Sequence, residues 1–135
     1  MPMPIGKLKG MSYELESRLK EAGIYNSHQL LQAARTPAGR GALAEQIDLD
    51  TQRILELAKR ADLARVRGIG GVFSDLLEHL GVETVTDLAD CPPIDLRAEM
   101  LAANEQEKLA GRLPTLRVVE DWVFQATELP KLLEF

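Results

Sequence analysis

The chain carries one stretch twice. Residues 5–34, moved forward by 58 positions, overlay residues 63–92 without a gap. Glycine meets glycine at Gly10/Gly68 and Gly23/Gly81, and leucine meets leucine at Leu19/Leu77 and Leu30/Leu88. Apolar positions coincide at Ile5/Leu63, Leu8/Val66, Met11/Ile69, Leu15/Phe73 and Ile24/Val82, and basic ones at Lys7/Arg65 and Lys9/Arg67. An internal repeat of this kind restricts the fold to two related units, each a small supersecondary element. The second copy contains Val66-Arg67-Gly68-Ile69-Gly70-Gly71, a glycine turn between two helical segments.

The periodicity is helical throughout. In 12–22, Leu15, Leu19 and Ala22 fall at i, i+4 and i+7, with Glu14/Arg18 and Glu16/Lys20 as i,i+4 pairs on the other face. Ser12 is placed to cap this helix and Gly23 to end it in a left-handed conformation. In 71–80 the stripe is Val72, Phe73, Leu76, Leu77 and Leu80, stopped by Gly81. Ser27 and Thr84 open short helices, Thr84 with Asp87 three residues on, as in a capping box. Pro37 and Pro92-Pro93 read as punctuation. Longer helices are predicted at 50–61 and 115–128, now offset by 65, so the second unit holds a few extra residues around 95–112. No alternating strand pattern is present.

The fold class expected is therefore all-α, with two tandem helix-hairpin-helix units, residues 1–61 and 62–135. A unit of about 60 residues buries too little surface to be robust alone. The two are expected to pack as one compact pseudo-symmetric body with Trp122 anchoring the core between them. The apolar tail after Pro130 should pack back onto it.

Charge divides the chain unevenly. The net is −5, with +2 on residues 1–61 and −7 on residues 62–135. The better glycine turn lies on the acidic half, which works against a polyanionic partner. Cys91 is alone, which rules out an internal disulfide and a cysteine-based zinc site. The start Met1-Pro2-Met3-Pro4 has no apolar signal core, and no run reaches the ~18 apolar residues of a membrane span. A cytoplasmic protein without membrane contact is the expectation.

Function, if the sequence carries it, sits at the turns. Gly68 and Gly70 permit backbone angles closed to other residues and leave no side chain over the bend. Backbone N–H groups at the start of the following helix lack intrahelical partners and, with the helix dipole, form a small anion site. A nucleic-acid phosphate fits there without any base being read. The candidate nucleic-acid-binding residues are Arg65, Arg67, Gly68, Ile69, Gly70 and Gly71 in the second copy, and Lys7, Lys9 and Gly10 in the first. A glycine-rich turn also serves simply to pack two helices closely. In the first copy Ser12 stands where the second has Gly70, and its side chain competes for a donor a phosphate would use.

Nothing else in the sequence points to chemistry. His28 and His79 occupy unrelated places in the copies and are expected on helix surfaces. Cys91, before two prolines, is expected to be buried as a small apolar residue. Glu105 and Glu107 read as a solvated acidic turn. No nucleophile–base set or phosphate loop exists, and Gly68-x-Gly70 lacks the strand and third glycine of a dinucleotide fingerprint. No enzyme activity, cofactor, metal or small-molecule substrate is expected.

Val66-Arg67-Gly68-Ile69-Gly70 and Gly81-Val82-x-Thr84-Val85-x-Asp87-Leu88-Ala89 resemble the tandem helix-hairpin-helix proteins of bacteria. Thr36-Pro37-x-Gly39-Arg40, Ala61-Asp62-Leu63 and Arg112-Leu113-Pro114-x-Leu116-x-x-Val119-Glu120-Asp121-Trp122 resemble, more closely, a small bacterial family carried as a domain of unknown function. That resemblance spans almost the whole chain and implies a compact helical body with two hairpin units. It implies no activity, whereas the wider superfamily implies DNA contact without sequence specificity. The leading expectation is a non-catalytic module on a nucleic-acid backbone, DNA ahead of RNA. The alternative is a protein–protein adaptor or scaffold using the acidic second half. Homodimer formation is compatible with both.

Overall fold

The computed structural model describes residues 2–135. Among them are eight α-helices, one 3-10 turn and no strand; the one isolated β-bridge joins Pro4 and Asn26. The chain divides into two units, Met1–Arg65 together with Leu132–Phe135, and Val66–Lys131.

The first unit runs from a 3-10 turn at Ile5–Lys7 through α1 (Tyr13–Glu21), α2 (Ser27–Ala34), α3 (Pro37–Ile47) and α4 (Thr51–Leu63). Side-chain caps open each of these helices. Ser12 Oγ accepts from Leu15 N–H, Asn26 Oδ1 from Gln29 N–H, Thr36 Oγ1 from Gly39 N–H and Asp50 Oδ1 from Gln52 N–H. Each such cap is worth about 1 kcal/mol against alanine. Helix α2 lies against α3 and α4. Ile54, Leu57, Ala58 and Ala61 form the buried stripe of α4 and join Leu19, Leu30, Leu31 and Ala34 in one aliphatic core. The C-terminal tail enters the same core through Leu133, and Glu134 N–H donates to Arg35 O at 2.7 Å.

The second unit holds α5 (Gly71–His79), α6 (Val85–Ala89), α7 (Pro93–Glu107) and α8 (Leu116–Glu128). Helix α6 starts in a full capping box: Thr84 Oγ1 accepts from Asp87 N–H, and Asp87 Oδ2 accepts from Thr84 N–H. Helices α6 and α7 lie against α8, and α5 lies against α7. The buried positions of α8 are Val119, Trp122, Val123 and Ala126, an i, i+3, i+4, i+7 stripe.

Three sequence expectations need correction. Pro37 and Pro93 begin helices rather than merely ending them, because proline at the first helical position loses only an N–H that has no intrahelical partner. Helices α3 and α7 both follow from this. Glu105 and Glu107 are the last turn of α7, which ends at Lys108 in a left-handed conformation (φ +51°). Cys91 is half-buried, not buried, and its thiol donates to Asp87 O at 3.4 Å. Among the described residues no helix is long and apolar enough to cross a membrane, and no three His, Cys, Asp or Glu side chains come together as a metal site.

Candidate nucleic-acid interface

The turn before α5 is built by four local features. Gly68 has φ +100°, the left-handed region that favours glycine. Its missing side chain admits the indole of Trp122: a Cβ there would lie 2.8 Å from Nε1. The Trp122 ring is buried and tilted at 53° to Phe73 of α5, with centroids 5.4 Å apart. Helix α8 reaches the turn a second time through Gln125, whose Oε1 accepts from Arg67 N–H at 2.8 Å and whose Nε2 donates to Arg67 O at 3.1 Å. Gln125 Nε2 also donates to the Asp121 carboxylate at 2.7 Å. Ile69 is buried and anchors the bend, its N–H weakly turned to Val66 O at 3.4 Å.

Past Ile69 the backbone is open. Gly70 is the N-cap residue and offers no side-chain acceptor. A Cβ at Gly70 or Gly71 would meet nothing within 4 Å. The first intrahelical bond runs from Ser74 N–H to Gly70 O. Among the described residues, the N–H groups of Gly71, Val72 and Phe73 have no acceptor. The first turn of α5 contains no acidic residue. The Arg67 side chain is exposed and pairs with no carboxylate among the described residues. An uncapped, unroofed helix start beside a solvated guanidinium is an anion-binding geometry.

Arg65 differs from Arg67 despite its place two residues earlier. Its guanidinium is largely buried (14 % exposed) and bonds the buried Asp62 carboxylate at 3.0 Å. That pairing spends its charge inside the first unit.

The turn before α1 contains Lys7, Lys9 and Gly10, all exposed. Gly10 has φ +87°, and Met11 N–H turns to Leu8 O at 3.3 Å. Two features make this helix start less receptive. Ser12 Oγ already takes the Leu15 N–H at 3.1 Å. Glu14 and Glu16 occupy the first turn of α1, where they complement the dipole that an anion would otherwise use. The Arg53 guanidinium of α4 lies on Gly10, bonding its carbonyl and Glu56.

Sequence reading did not identify the partners Trp122, Gln125 and Arg53 at these turns. Gln125 stands three residues after Trp122 and four after Asp121 on α8, a spacing that makes it a neighbour of each but does not reveal what they face. The histidines are both exposed; His79 lies 3.9 Å from the Glu107 carboxylate.

The model of DUF4332, a domain of unknown function, matches residues 9–129. The chain belongs to the DUF4332 family. The matched span takes in Gly10, the whole Gly68–Gly71 turn and Trp122, so the DUF4332 domain includes both helix starts described above. No curated protein and no solved structure matches this DUF4332 chain.

Proposed function

We propose that this DUF4332 chain is a non-catalytic tandem helix-hairpin-helix module that holds a DNA backbone without reading sequence, chiefly through the Gly68–Gly71 turn. One observation carries the reading: three consecutive N–H groups, at Gly71, Val72 and Phe73, have no acceptor among the described residues, no cap and no acid in their turn. Arg67 supplies a solvated cation beside them. Recurring backbone detail supports the tandem arrangement. Helices α1 and α5, and likewise α2 and α6, begin 58 residues apart. Ile24 N–H to Leu19 O and Val82 N–H to Leu77 O are both 2.9 Å, and Gly23 and Gly81 have φ +85° and +81°. Helices α4 and α8 begin 65 residues apart.

Duplex DNA should bind with a dissociation constant of roughly 10⁻⁴–10⁻⁶ M that weakens as salt rises. Fluorescence anisotropy at low salt tests this. Arg67→Ala should weaken binding and lower the salt slope by about 1, independent of duplex sequence. Absence of binding, or indifference to Arg67→Ala, sinks the reading.

A protein-adaptor role is the second reading. Its observation is the exposed Ile94 and Leu101 of α7, set among Asp95, Glu99, Glu105 and Glu107. A protein partner whose capture is lost on charge reversal at Asp75, Glu78 and Glu83, with no DNA binding, would replace the first reading.

A further inference from the structure

We propose that residues 132–135 form a detachable strap, and that the seat they occupy on the first unit also takes the same segment of a second copy of the chain. The chain leaves the first unit at Arg65, builds the second from Val66 to Lys131, and returns to the first with Leu132–Phe135. Helix α8 ends at Glu128, and no helix or strand spans 129–135. Lifting the segment from its seat therefore breaks no element. The seat meets three chemical features of it. Leu133, 2 % exposed, lies in the aliphatic core of the first unit, and Leu132 packs against that core. Glu134 meets Arg35 twice, its N–H donating to Arg35 O at 2.7 Å and its carboxylate standing 3.8 Å from the guanidinium. The Phe135 ring centroid lies 5.7 Å from Lys59 Nζ. An aliphatic side chain, an acid and an aromatic ring, in that order, thus meet an apolar core and two cations.

The grip is specific but light. One buried leucine and one backbone hydrogen bond do most of the holding. The Arg35–Glu134 pair is long and both side chains are well exposed (41 % and 58 %), where an ion pair contributes little. Phe135 is itself 67 % exposed beside its lysine. The fit also carries a defect. Arg35 Nε is buried with no hydrogen-bond partner among the described residues, and it belongs to the residue that Glu134 contacts at both backbone and side chain. An unpaired buried donor is a standing cost. Segments held by few buried contacts open locally before the whole unit unfolds. What fits the vacated seat is defined by its present occupant, a Leu-Glu-Phe segment that every copy of the chain carries. The tethered segment has an effective concentration of roughly millimolar order and fills its own seat first. Exchange between copies then follows the logic of a domain swap, and it is independent of the Gly68–Gly71 turn.

Hydrogen exchange on the intact protein tests release. The Glu134 N–H should exchange about 100-fold or more faster than the Leu57 N–H of α4, whose side chain lies in the same core. Equal protection of the two would make the segment part of the cooperative core and overturn the proposal. Exchange between copies is tested with a fluorescein-labelled, amidated peptide of residues 129–135, read by anisotropy. Leu133→Asp in the full chain disables the resident segment and leaves the seat empty. That variant should keep the helical circular dichroism of the wild type and bind the peptide. Wild type, whose seat is filled, should bind it about tenfold or more weakly. A peptide carrying Leu133→Asp should bind neither protein. Failure of the variant to fold, no peptide binding to it, equal binding by both proteins, or binding indifferent to the leucine of the peptide would each overturn the exchangeable seat.

Discussion

Adding a single methyl at Gly68 should be far more damaging than the same change at Gly81. Both residues sit at positive φ, +100° and +81°, where an L side chain costs roughly 1–2 kcal/mol. The space around them differs. At Gly81 a Cβ meets nothing within 4 Å, so the conformational cost is the whole cost. At Gly68 the Cβ would stand 2.8 Å from Trp122 Nε1, a separation that forces something to move. The indole is buried and backed by Phe73, so it yields only by disturbing α5 or α8. Overpacking a closely packed site costs about 1–3 kcal/mol. Gly68→Ala should therefore lose about 2–5 kcal/mol and Gly81→Ala about 1–2 kcal/mol. Urea unfolding followed by circular dichroism supplies the comparison, with fluorescence of Trp122 reporting the second unit. The decisive variant is the double mutant. With Trp122→Phe in place, Gly68→Ala should cost no more than Gly81→Ala, because the atom it collides with is gone. Equal losses for the two alanine variants in the wild-type background, or strict additivity with Trp122→Phe, would refute the packing argument.

Gly70→Ser should place an acceptor on Phe73 N–H as Ser12 does on Leu15 N–H; Gly70 already has extended cap geometry, φ −91° and ψ −172°. It should stabilise α5 by a few tenths of a kcal/mol while weakening duplex binding, and unchanged or tighter binding in anisotropy would contradict the donor assignment. Arg65→Ala removes the guanidinium bonded to the buried Asp62 carboxylate and should lower the unfolding midpoint, whereas Arg67→Ala should leave it nearly unchanged. A midpoint insensitive to Arg65→Ala would show that Asp62 does not depend on this partner. Burial, with smaller contributions from Glu99, Asp87 and Asp90, raises the Cys91 thiol above its ordinary pKa. The folded protein then holds less thiolate than the unfolded chain, so iodoacetamide should label Cys91 more slowly at about pH 8 when folded. The gap should close as pH climbs past the folded pKa, and equal rates at pH 8 would count against the burial effect.

What was legible in the sequence was whatever depends on neighbours within a turn or two. Ser12 and Thr84 declare themselves as caps because the groups they satisfy lie three residues away, and Gly23 and Gly81 mark helix ends for the same local reason. The α3 and α7 helices were hidden because Pro37 and Pro93 send opposite messages: proline breaks a helix from inside and starts one from its first position. Arg40 obscured α3 further, since a buried arginine bonded to Ala34 O interrupts the apolar pattern that would have revealed the helix. At the candidate site the missing information is of another kind. Arg65 and Arg67 look interchangeable as letters, but Asp62 holds one guanidinium and leaves the other in solvent. The role of Gly68 likewise cannot be inferred from its own neighbours, because the contact that demands a glycine comes from Trp122, 54 positions later. A glycine turn in sequence thus states only that a bend is allowed. Whether the bend is an anion site depends on which of its donors the rest of the unit has already taken: at α1 a serine and two glutamates occupy that role, and at α5 none do.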